Sequence, residues 1–111
     1  MRYIAFSIAI SLLTLGKGYS QSAGEEISNK IAQRMKDSLG LTTDQKSQVY
    51  NVNIQLHSQK MLARQQNENV DSLTVRFQRI ENTRDSLYRP ILTTEQFLLY
   101  VDKKKNLVNN N

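Results

Sequence analysis

From residue 25 onward the apolar residues of this chain fall three and four apart, the spacing that gathers side chains on one face of a helix. Ile27, Ile31, Met35 and Leu39 recur every four residues and predict a first helix from about Glu25 to Leu39. Gly40 follows at once, as glycine commonly does just past a helix end. A second helix opening at Thr43 carries Val49, Val52, Leu56 and Ala63 on one face, with Tyr50, Ile54 and Met61 on an adjoining one. Its end is weakly marked. Gln66, Asn67, Glu68 and Asn69 form a polar break in which Asn67 or Asn69 is placed to cap a third helix bearing Val70, Leu73, Phe77, Ile80 and Leu87. A hairpin turn is expected there. The competing expectation is one unbroken helix from Thr43 to Arg89, roughly 70 Å long, which no Gly or Pro forbids and which would need a partner chain. Pro90 disfavours helical backbone at Arg89 and so ends the third segment. Thr93 then opens a last helix with Phe97, Tyr100, Val101 and Val108, and the Asn109 to Asn111 tail should fray. The pattern predicts an all-α, four-helix protomer with long antiparallel helices.

The first twenty residues read differently. Met1 and Arg2 precede an apolar run from Tyr3 to Leu15, after which Gly16, Gly18 and Ser20 supply the small residues a signal peptidase requires. The run is shorter than the roughly 20 apolar residues needed to cross a bilayer, so a cleaved signal peptide is expected over 1–20 and a single domain over 21–111. Cleavage after Ser20 leaves Gln21 first, although Gly18 and Ala23 also fit. No Cys follows the run, which leaves no residue for a lipid anchor.

Composition adds two limits. With no Cys, neither a disulfide framework nor a cysteine metal site is available. The formal charge of +5 includes Arg2 and Lys17, so a chain starting at residue 21 carries thirteen basic against ten acidic groups and is only mildly basic. Such a chain of about 90 residues buries roughly 60 to 65% of its unfolded surface, and dimerisation would relieve that shortage.

Two stretches repeat one another. Lys36-Asp37-Ser38-Leu39 followed by Leu41-Thr42-Thr43-Asp44-Gln45 matches Arg84-Asp85-Ser86-Leu87 followed by Leu92-Thr93-Thr94-Glu95-Gln96. Each copy reads as helix end, turn and helix start. Thr42 and Thr93 are placed to cap the next helix, while Gln45 and Gln96, three residues on, can reach back to the cap residue's own amide. Asp44 and Glu95 put negative charge in the first turn, where the helix dipole favours it. Leu92 can staple onto Phe97, whereas Leu41 faces Lys46 and has a weaker partner. One such box is common. Average residue usage yields Leu-Thr-x-x-Gln roughly twice in ten thousand positions, so two copies in one short chain argue against chance.

The pair Leu41, Thr42, Gln45 and Leu92, Thr93, Gln96, on a small helical chain with an export signal, resembles the Spy/CpxP family of periplasmic proteins. The resemblance covers most of the chain after the signal peptide. It implies a four-helix protomer that pairs into a curved, cradle-like homodimer. It also implies either an ATP-independent holder of partly unfolded envelope proteins or an adaptor that binds a membrane sensor protein. Some relatives bind zinc or other heavy metals, but this chain lacks a cluster of metal-ligating residues.

The remaining chemistry is sparse. Gly24 and Gly40 are the only glycines after the signal peptide, too few for a phosphate-cradling loop, so no nucleotide cofactor is expected. His57 is the only histidine. Asn53, Ile54, Lys60 and Met61 surround it at helical spacing, which gives no metal set within its helix and no base for a Ser-His-Asp or Cys-His system. A site shared with Met61 or with a symmetry-related His57 is the alternative to a plain surface or interface histidine. Glu25 and Glu26 diverge on a helix and make a poor acid/base pair. No residue stands out as catalytic. Lys103 to Lys105 form a short basic run better read as solvated than as a nucleic-acid contact, since no basic stripe with interleaved aromatics accompanies it.

The more informative region is apolar and basic. Met61 and Leu62, flanked by Lys60 and Arg64 and faced by Arg76 and Arg79 on the next helix, are expected to form an unspecific client surface. Met adapts to varied partners, and positive charge speeds encounter with acidic ones. Taken singly, Met61 or Leu62 reads rather as core and the basic residues as a solvated face, and the expectation rests on the surface as a whole. The expected function is a periplasmic chaperone, with a stress-signalling adaptor or a structural coiled coil as rivals.

Overall fold

The computed structural model describes residues 23–66 and 69–109. The signal peptide expected over 1–20, the cap candidate Asn67, and the last two residues of the tail expected to fray lie outside them. The described chain is all-α, with four helices: α1 (23–39), α2 (Thr43–Gln65), α3 (Val70–Tyr88) and α4 (Thr94–Val108). No helix among the described residues is long and apolar enough to cross a membrane.

The chain ends α1 at Gly40, whose φ of 68° lies in the left-handed region. The Gly40 and Leu41 amides both donate to the Lys36 carbonyl, at 3.0 and 3.2 Å, which satisfies an oxygen the helix end leaves without a partner. The chain then reverses, and α1 and α2 run antiparallel. Lys46 Nζ donates to Gln33 Oε1 at 2.7 Å, and Asn53 Nδ2 donates to the Ser28 carbonyl at 2.9 Å. Gly24 meets His57 further along. A Cβ at Gly24 would stand 2.6 Å from the His57 ring, so the absence of a side chain lets the helices approach there.

A turn separates α2 from α3, and the unbroken helix from Thr43 to Arg89 does not occur. Asn69 caps α3 by accepting from the Ser72 amide at 2.8 Å. The two helices then lie antiparallel, with Lys60 opposite Glu81 and Asn53 opposite Arg84. Past Pro90, α4 returns against α3 through Tyr100 and Lys104, both bonded to Asp85, and against α1 through Arg34, which donates to the Leu107 carbonyl.

The core gathers Ile31, Ala32, Met35, Leu39 and Leu41 with Val49, Tyr88, Leu92, Phe97, Tyr100, Leu107 and Val108. The apolar stripes predict most of it, with four departures. Ile27 is 40% exposed and Ser28 is buried in its place. Spacing of four residues gains about 40° per step on a helix of 3.6 residues per turn, so the stripe turns away from the core by its fourth member. On α3, Leu73, Phe77, Ile80 and Leu87 are only half-buried and Val70 is exposed, while Arg84 and Tyr88 are buried. The outer part of α3 packs on α2, and full enclosure comes only near the base. On α4, Val101 is exposed and Leu107 takes the inward position. Leu41 is buried despite facing Lys46 in its own helix, because it joins the common core.

Candidate functional site

Both repeated corners form capping boxes. The Gln45 amide donates to Thr42 Oγ1 at 3.0 Å while the Thr42 amide donates to Gln45 Oε1 at 2.9 Å. Thr93 and Gln96 exchange the matching bonds at 3.1 and 3.0 Å. Leu92 and Phe97 are both buried in the core, as a staple requires.

The corners also bind one another, which spacing alone does not reveal. Gln45 Nε2 donates to Gln96 Oε1 at 2.7 Å and to the Ile91 carbonyl at 3.0 Å. In return, Gln96 Nε2 donates to Gln45 Oε1 and to the Gly40 carbonyl, both at 3.3 Å. Gly40 and Ile91 each immediately precede the leucine of a motif. The repeat is therefore a pair of matching halves around an approximate two-fold relation, with each glutamine capping its own helix and closing the other corner.

A buried polar chain runs beside this clamp. Arg84, 4% exposed, donates through Nε and Nη2 to the Glu81 carboxylate and through Nη1 to Asn53 Oδ1 and the Tyr88 hydroxyl. The Tyr88 hydroxyl also donates to Asn53 Oδ1, and Lys60 Nζ reaches Glu81 at 3.3 Å. Among the described residues no buried side-chain nitrogen or oxygen lacks a hydrogen-bond partner. Burial works to raise the Glu81 carboxyl, but the Arg84 hydrogen bonds and the charges of Arg84 and Lys60 outweigh it and hold it below the usual range. Burial pushes the Tyr88 phenol up to about 12, against the opposing charge of Arg84. Asp85 is likewise held low, because the Tyr100 and Lys104 hydrogen bonds overcome its partial burial. Every group in this polar chain has a structural partner, and Asn53, Lys60, Glu81 and Arg84 border a small cavity of about 130 Å³ that His57 also lines.

The six residues expected to form a client surface are not gathered on one face. Lys60 and Arg64 turn toward α3 and sit over the Phe77 ring, at 5.9 and 5.0 Å from its centre. Arg76 is half-buried and Arg79 exposed on α3. Met61 and Leu62 line a groove of about 380 Å³ that they share with Ile54, Gly24 and Glu25, and Arg64 Nη1 also reaches Met61 Sδ at 3.9 Å. A second open groove of about 630 Å³ continues along α2 past Tyr50 and is edged by Glu25, Glu26 and Lys46. Glu25 borders both. Tyr50, Ile54 and Met61, the second apolar stripe of α2, form the floor of this run, and Leu62 is 58% exposed on its edge. The stripe was legible in the sequence. Its charged edge was not, because Glu25 and Glu26 come beside Lys46 of α2 only through the packing of α1 on α2.

His57 packs on Gly24, and no group of three or more His, Cys, Asp or Glu is placed to hold a metal among the described residues. No protein-family model matches the chain, and neither a curated protein nor a solved structure is significantly similar to it.

Proposed function

We propose that this protein is an exported, periplasmic chaperone that holds partly unfolded envelope proteins without nucleotide and works as a homodimer. The groove along α2 carries the reading: its floor of Tyr50, Ile54 and Met61 is apolar and open, and Leu62 stands exposed beside it. Met61 has an unbranched, polarisable side chain that adjusts to irregular surfaces. These side chains are already partly covered, so a client gains on the order of 4 to 6 kcal/mol by burying the rest, before any ordering cost. The paired Leu-Thr-x-x-Gln corners and the apolar, signal-like start of the chain give the reading its compartment and its family likeness.

Light scattering of a denaturing client tests it. Near-stoichiometric suppression of aggregation in nucleotide-free buffer is expected, with loss of suppression on Met61→Gln and Leu62→Gln. No suppression, together with one stoichiometric partner recovered from envelope extracts, would instead make the protein an adaptor for a membrane sensor.

A further inference from the structure

We propose that the small cavity beside the buried polar chain is a binding site for a monovalent carboxylate carried on a short apolar stem. The proposal goes beyond the holding function and does not depend on it. The cavity, of about 130 Å³, lies where α1, α2, α3 and the end of α4 meet. Asn53, His57, Lys60, Glu81 and Arg84 line its polar side, and Ile27, Ile31 and Val108 its apolar side. Two cations therefore face one carboxylate in a setting largely withdrawn from water, since the side chains of Arg84, Glu81 and Lys60 are 5%, 19% and 26% exposed. Other acids do not offset the excess. Asp85 is taken up by Lys104 and Tyr100, and Glu25 lines the neighbouring groove and not the cavity.

Donors remain for such a ligand. A guanidinium carries five N–H groups and an ammonium three. Arg84 directs Nε and one Nη2 hydrogen at Glu81 and both Nη1 hydrogens at Asn53 and Tyr88, while Lys60 donates to Glu81 alone. One N–H of Arg84 and two of Lys60 are thus left over among the described residues. The carbonyls of Lys105 and Leu107 at the end of α4 are already bonded, to the Asn109 amide and to Arg34. Charge and volume then select the ligand. A monoanion brings the cluster to neutrality, whereas a phosphate dianion would set two further negative charges beside Glu81. The volume matches the share of about four waters, roughly 30 Å³ each, and falls far below the roughly 300 to 1,000 Å³ of a drug-sized pocket. A carboxylate fits between the cations, and a short aliphatic stem covers Ile27, Ile31 and Val108.

Sodium propionate is the probe, titrated into the purified protein while the methyl resonances of Ile27, Ile31 and Val108 are followed, with sodium chloride at matched ionic strength as the control. Those resonances should shift and saturate with propionate and not with chloride. Lys60→Met should weaken binding about tenfold, the loss expected for one hydrogen bond to a charged group, and Lys60→Arg should retain it. Glu81→Gln should act in the opposite direction and tighten binding at least about threefold, because it removes the competing charge while keeping an acceptor for Arg84. The opposed signs separate a ligand site from a general loss of folding, which would weaken both. Absence of saturation, equal saturation by chloride, unchanged binding in both variants, or a change of the same sign in Lys60→Met and Glu81→Gln would overturn the proposal.

Discussion

The base of the molecule and the outer half of its α2–α3 hairpin are built from the same kinds of residues but held by different means. At the base, four helices converge on Tyr88, Tyr100 and Met35, which are fully buried, and two glutamines tie the corners together. In the outer half, Phe77 is only half-buried under Lys60 and Arg64, and Val70 and Val75 are exposed. Polar groups stabilise the base because each is paired out of water, where a lost partner leaves an uncompensated group. Apart from Ala63, which is fully buried, the side chains of the outer half keep access to solvent and should lose little when changed. The difference separates a rigid frame from a surface free to engage others.

Substitutions in the frame should therefore cost far more than substitutions outside it. Arg84→Ala is expected to destabilise by about 3 kcal/mol, since it strips Glu81, Asn53 and Tyr88 of a shared buried donor. Arg79→Ala, on the exposed face of α3, should stay within about 0.5 kcal/mol. Chemical denaturation of the two variants makes the comparison, and equal losses would break it. Gln45→Ala and Gln96→Ala should each cost about 2 kcal/mol, twice the value for a simple cap, because each amide also closes the opposite corner. The double variant should lose less than the sum of the singles, by at least about 0.5 kcal/mol, and strict additivity would show that the corners do not communicate. Thr42→Ala and Thr93→Ala remove only the caps and should cost about 1 kcal/mol each in the same denaturation series.

Titration of the melting temperature sharpens the same contrast. The Tyr88 phenol is raised from its ordinary 10.0 to about 12, so its contribution is complete below pH 10 and should disappear as pH rises from 10 to about 12. Glu81 and Asp85 are held below their ordinary values of 4.5 and 3.8, so their contribution is present above those values and should fade as pH drops below about 4.5. Tyr88→Phe should weaken the alkaline arm, leaving the part that the Tyr100 phenol contributes through its own burial and its bond to Asp85, and should keep the acid one. The groove should be as tolerant as the exposed face of α3. Leu62→Gln should change stability by less than about 0.5 kcal/mol, because the side chain is more than half exposed.

Much of the frame was legible in the sequence. Gly40, Asn69, Pro90 and the two Leu-Thr-x-x-Gln boxes mark the helix ends through local backbone chemistry, which needs no tertiary information. The pairing of Gln45 with Gln96 was not, since it depends on two corners 51 residues apart meeting in space. Arg84 and Asn53 escaped a reading based on apolar periodicity because they are polar residues buried by virtue of their partners. The expected client surface was half legible. Met61 and Leu62 do line an open apolar groove, but Lys60 and Arg64 lie over Phe77, and only the packing of α1 brings Glu25 and Glu26 to the groove beside Lys46.

The claim that this groove holds clients is tested most directly by site-specific photocrosslinking. A photoreactive residue placed at position 62 should capture an unfolding client, whereas the same residue at position 79, exposed on α3, should capture little. Equal capture at both positions, or capture at 79 alone, would contradict the account.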